Sequence, residues 1–189
     1  MQSNTIDKFC HIAKKRSIDN MESFSLLYDA RKYGNCFSIL RQELDSLVRM
    51  IFLLKIDDRS KRLQLMEQTI EGEKWSFREN GKKHIITDKD MVDVSDTLFG
   101  WAGYVYKFGC GFIHLSNLHN YLEEDPFSKL SLTDKRNIIN FMHQYFLNNL
   151  TMSSTTVDFI EYLPKIMEKI SGNLHCYIQE IKDDKDLEI

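Results

Sequence analysis

Little in this chain punctuates it. Two prolines and eight glycines are spread over 189 residues, too few turn signals for a sheet-rich domain. The four cysteines, Cys10, Cys36, Cys110 and Cys176, form no Cys-x-x-Cys pair and match no Cys/His zinc spacing. They read as reduced thiols acting as small hydrophobes. Neither sign of charge is in excess. With 25 basic and 28 acidic residues the formal net charge is −3, so nothing pulls the whole molecule toward nucleic acid or anionic membrane, although local patches remain open. No apolar stretch approaches ~18 residues, and Met1–Lys8 has no apolar run flanked by basic residues. The expectation is a cytoplasmic chain without signal peptide or membrane partner.

What is present favours helices. Apolar residues make up 42% and charged residues 28%, the balance of a globular protein rather than a disordered one. The length suits one domain of ~100–200 residues. The strongest periodic segment runs from about Cys36, capped by Asn35, to Ile56, with Leu40, Leu44, Leu47, Val48, Ile51 and Leu54 at three- and four-residue steps. Before it, a weak helix through Phe9 and Ile12 and a second over about Met21–Tyr33 are expected, the latter stopped by Gly34. A shorter polar helix follows over Arg62–Gly72. Between Trp75 and Ile86, Asn80-Gly81 separates two alternating runs, a strong hairpin signal. One long helix is then expected from Thr87 or Asp88 through Ile113, with Gly100, Gly103, Gly109 and Gly111 inside it. Glycines at that density imply a second helix backbone close by. Later helices are expected over about Thr133–Asn149 and Thr156–Asp183, the last kinked by Pro164 or confined by it to two pieces. The fold class is therefore all-α: an irregular antiparallel bundle of four to five main helices with a hairpin insertion at 74–87. It forms a single domain with its core over about 20–182 and a frayed tail at 183–189.

The motifs for metal and nucleotide chemistry are missing. His-Glu-x-x-His, recurring Glu-x-x-His, Gly-x-Ser-x-Gly and a glycine-rich phosphate loop are all absent, so neither metal nor cofactor is expected. A histidine paired with a cation supports a different reaction. RNA carries its own nucleophile, the 2′-hydroxyl. Cleavage then needs a base near neutral pKa and a positive group beside the developing phosphorane. Arg136 and His143 are seven residues apart, close to two turns of ~3.6 residues each, as are Lys107 and His114. His11 and His84 lie in polar surroundings, His175 reads as a helix-face residue near Ile170, Leu174 and Ile178, and His119 stands five residues from His114, poor geometry for one helix face.

Two stretches in this order resemble the HEPN superfamily of all-helical domains. The first is Ser38-Ile39-Leu40-Arg41-Gln42-Glu43-Leu44-Asp45-Ser46-Leu47-Val48-Arg49. The second is the Tyr104–Asn117 segment, with His114-Leu115-Ser116 at its end. The family signature is Arg, often followed by a polar residue, then His after four to six others. Arg136-Asn137 with His143 fits it, whereas the segment around His114 has Lys107 where arginine is expected. The resemblance implies an RNA-contacting protein, and with it a metal-independent endoribonuclease of a toxin–antitoxin or antiphage system. His114 or His143 would serve as base and Lys107 or Arg136 as phosphate partner. Arg41 and Glu43 would orient the site, and Tyr104, Ser116 and Asn137 would contact substrate. It further implies a homodimer with a composite site, and a cognate protein partner. The alternative is a non-catalytic helical module that binds a protein or a small ligand. On that view His114 merely caps a helix, Arg41 and Glu43 are edge charges of a core helix, and Phe99, Trp101, Tyr104, Tyr106, Phe108 and Phe112 are core.

Overall fold

In the computed structural model the described residues are 2–187, apart from the side chains at positions 2, 3, 79, 98, 99 and 117. Phe99 of the aromatic series, Asn117 of the second stretch and residues 188–189 of the tail thus lie outside the described side chains. Among the described residues there are eight α-helices: α1 (Gln2–Asp29), α2 (Tyr33–Lys55), α3 (Arg59–Ile70), α4 (Asp88–Phe99), α5 (Ala102–Ile113), α6 (Leu132–Tyr145), α7 (Thr156–Ile160) and α8 (Leu163–Lys182). One antiparallel hairpin, β1 (Ser76–Glu79) and β2 (Lys82–Ile85), lies between α3 and α4. The architecture is helical with a small two-stranded excursion, as the composition implies. The eight exceed the four to five main helices expected: the segments expected as single helices at 88–113 and 156–183 hold two each, and shorter helices add to the main ones.

α2 is the spine. Its residues Leu44, Leu47, Val48 and Ile51 are fully buried, and it packs against α1, α4, α5 and α8. A helix buried on most of its faces, its inward charges paired, is central. α1 is one continuous helix where two are expected. It ends at Arg31, whose backbone is left-handed at φ 57. The Arg31 and Lys32 N–H groups close the end on the Tyr28 and Leu27 carbonyls at 2.9 and 2.8 Å. Gly34 therefore stops nothing; it lies within α2, which begins ahead of Asn35 and has no side-chain cap.

The hairpin follows its turn chemistry. Asn80 and Gly81 have φ 51 and 77, the left-handed pair that a two-residue turn demands, and Glu79 pairs with Lys82. Buried Trp75 anchors its base by donating from Nε1 to Thr69 Oγ1 at 2.7 Å.

The expected helix over 88–113 is two helices. Thr87 and Asp90 form a capping box that starts α4, and Gly100 ends it with φ 66. Gly103, Gly109 and Gly111 all lie in α5, and the close approach expected of them is found at Gly109. A methyl group there would overlap the Cβ of Arg41 on α2. The last expected helix is in two pieces, α7 and α8, the second of the two outcomes expected at Pro164. Pro164 starts α8 in its first turn, where a missing N–H costs nothing. The tail is held as far as Leu187. Arg62 donates to the Lys185 carbonyl at 2.7 Å, and the Leu187 N–H donates to the Leu54 carbonyl at 3.1 Å. No helix among the described residues is long and apolar enough to cross a membrane.

Candidate functional site

α6 presents two faces. Ser131 caps it, accepting from the Asp134 N–H at 3.0 Å. Arg136, Asn140 and His143 lie exposed on the outside, while Ile138, Phe141, Met142 and Tyr145 line a cavity on the inside. His143 Nε2 is 2.9 Å from the Leu150 carbonyl oxygen. That oxygen only accepts, so Nε2 carries the hydrogen and Nδ1 is the basic nitrogen. Arg136 and His143 are thus on one helix, both exposed, with the imidazole held in orientation.

The other predicted pair is arranged differently. Lys107 is exposed within α5, but the helix stops at Ile113, and His114 is its C-cap with ψ 147. The His114 carbonyl lies 3.2 Å from His119 Nε2. No hydrogen bond or ion pair joins Lys107 to His114 among the described residues. Ser116 is occupied by local structure. Its Oγ donates to the Gly111 carbonyl at 2.6 Å and accepts from the Leu118 N–H at 3.2 Å.

Arg41 and Glu43, expected to orient the site, are buried and face different neighbours. Glu43 is fully buried and accepts from the Ser17 hydroxyl and, at 2.8 Å, from Asn20 Nδ2 on α1. Arg41 lies against α4 and α5: Nη2 is 2.9 Å from Asp88 Oδ2, and the guanidinium stacks over Tyr106 at 4.2 Å. It is the inner end of a chain of alternating charge. Asp88 also meets Arg49 at 3.4 Å, Arg49 meets Asp45 at 3.2 Å, and Asp45 meets Arg16 at 3.0 Å. Burial works against the Asp45 charge, but Arg49 and Arg16 outweigh it and hold its pKa below the usual carboxylate value. Such a network fixes α1, α2 and α4 relative to one another.

Tyr104 and Asn137 are brought together, as Asn137 Nδ2 donates to the Tyr104 hydroxyl at 2.9 Å. This bond ties α5 to α6 at the cavity, which Tyr104 lines. The cavity, partly open to solvent, offers about 120 Å³ between α2, α5, α6, α7 and α8. Its wall includes Phe37, Trp101, Phe108, Phe141, Phe159 and Ile166. The Thr156 hydroxyl in the wall is already committed to Asp125 Oδ1 at 2.6 Å. The remaining charged group is Lys169, whose Nζ lies 3.9 Å from the Tyr145 ring centroid.

The sequence reading missed this cavity. No single segment announces it, because its wall draws on α2, α5, α6, α7 and α8 together. No group of three or more His, Cys, Asp or Glu side chains among the described residues could hold a metal ion. Comparison of the chain with protein-family models, curated proteins and solved structures finds no match.

Proposed function

We propose that this protein is a helical ligand-binding module that takes an apolar small molecule into the cavity between α5, α6 and α8. The observation that carries this reading is an apolar space of about 120 Å³ in an interior where voids larger than a water molecule are few. Apolar wall that a fitting ligand covers is removed from water, which favours its binding. An engineered apolar cavity of ~150 Å³ stays dry and takes up benzene. Toluene or indole added to the protein is expected to raise the midpoint of thermal unfolding saturably and to shift the fluorescence of Trp101 in the wall. Val105→Phe, which puts a ring into the cavity, is expected to abolish both effects. Absence of any saturable effect in the wild type overturns the reading.

The outer face of α6 supports a second reading, RNA contact by a HEPN-like site. Its support is the orientation of His143, which leaves Nδ1 basic, with Arg136 on the same exposed face. In that reading Nδ1 takes the proton from a 2′-hydroxyl while the guanidinium meets the phosphate, without a metal and in a homodimer. RNA cleavage in EDTA, lost in His143→Ala and Arg136→Ala but retained in Lys107→Ala and His114→Ala, is the expected result. Cleavage that survives His143→Ala removes that assignment.

A further inference from the structure

Aromatic residues make up 12% of the chain, yet nine of the nineteen residues that line the cavity are aromatic. Two pairs of them pack at an angle to each other. Tyr104 and Phe141 have ring centroids 6.0 Å apart and planes 50° apart, and Phe127 and Phe159 are 4.7 Å and 49° apart. A ring carries negative charge on its faces and positive charge at its edge, so neighbouring rings attract when tilted or offset. A wall of such rings meets a flat aromatic guest on the same terms. A saturated ring of similar bulk covers the same surface but has no quadrupole to align with it.

The wall offers little to a charged guest. None of the described residues lining it is a carboxylate. Its hydroxyls are drawn into bonds of their own: Thr156 donates to Asp125 at 2.6 Å, and Tyr104 accepts from Asn137 at 2.9 Å. The lone ammonium, Lys169, is seated over the Tyr145 ring at 3.9 Å. Burying a charge in such a space is costly without groups set to meet it.

Resting on the ligand-binding reading, we propose that the ligand is a small uncharged aromatic compound, held among the tilted rings of Tyr104, Phe141, Phe127 and Phe159. The space of about 120 Å³ sets its bulk near that of one ring, since ~150 Å³ accommodates benzene.

The test is calorimetric titration of the full chain at neutral pH, in a sealed cell, with benzene, cyclopentane, cyclohexane and benzoate. The three hydrocarbons are compared at equal fractions of their aqueous saturation, so that their differing aversion to water cancels. Benzene is expected to bind about two- to tenfold more tightly than either saturated ring on that scale, and benzoate not to bind. Phe141→Leu and Phe159→Leu each replace a ring by aliphatic bulk and are expected to shrink the preference while cyclohexane still binds. A ring that merely fills space would leave that ratio where it is. Equal binding of benzene and the saturated rings by the wild type, or a preference unchanged in both variants, overturns the aromatic assignment and leaves the ligand-binding reading standing. Benzoate binding as tightly as benzene overturns the uncharged class. Failure of all three hydrocarbons overturns both readings.

Discussion

Glu43 illustrates what a single buried carboxylate does here. It satisfies the Ser17 hydroxyl and the Asn20 amide, both buried, so its removal strands two donors in a dry interface. Glu43→Ala is expected to cost about 3 kcal/mol, and Glu43→Gln less, because a buried donor without a partner costs ~1–3 kcal/mol. Urea unfolding measures this as a lower midpoint at unchanged slope. Gly109 makes the opposite point, since any Cβ there meets Arg41. Gly109→Ala is expected to destabilise by about 1–3 kcal/mol through overpacking. Of the five carboxylates among the described residues held below their usual value, Asp45 and Asp125 are the two that are partly buried. Asp45 is opposed by burial but held low by Arg49 and Arg16. Asp125 is likewise opposed by burial but held low by the Thr156 hydroxyl and the N–H groups of Thr156, Phe127 and Ser128. A folded pKa below the unfolded value means that the unfolded chain gains protons first as the pH drops. Their stabilisation is therefore complete above the unfolded carboxylate value of ~3.9 and is lost as the pH falls from about 5 toward the folded values. Unfolding free energy measured across that range is expected to fall, and less steeply in Asp45→Asn.

At the level of elements, the boundaries divide by the kind of physics that sets them. Asn80-Gly81 is a local instruction, and the hairpin was legible because its two left-handed residues need nothing from the rest of the chain. The capping box Thr87/Asp90 is local too. Thr87→Ala is expected to cost about 1 kcal/mol, read from the thermal midpoint. Glycines 100, 103, 109 and 111 look alike in sequence, yet only Gly100 turns left-handed, and a Cβ there would approach Phe141 at 3.0 Å. Gly103 and Gly109 are instead helical glycines, required by Asp96 and Arg41 pressing on them. Which glycine breaks a helix depends on what packs against it, and that was not readable from one chain.

Across the whole molecule, Arg62 is the fastener between the spine and the chain's end. Buried at 3% exposure, it donates to the Ile56, Leu54 and Lys185 carbonyls at 2.6, 2.9 and 2.7 Å. It thereby satisfies carbonyls at the end of α2 that have no helical partner. Arg62→Ala is expected to lose about 3 kcal/mol and to deprotect the Leu187 amide in hydrogen exchange. Arg62→Lys is not expected to rescue it, because one ammonium cannot reproduce the planar fork.

Periodicity and turn residues by themselves determined the helical class, the burial of α2 and the hairpin, since each follows from backbone preferences and apolar spacing within a dozen or so neighbours. They also brought out Arg136 and His143, whose shared face depends only on helical repeat. The cavity was decided by tertiary structure alone. Its wall gathers side chains from five helices, α2, α5, α6, α7 and α8, that only packing brings together. A chain read residue by residue shows which groups exist; only the packed molecule shows which of them share a wall.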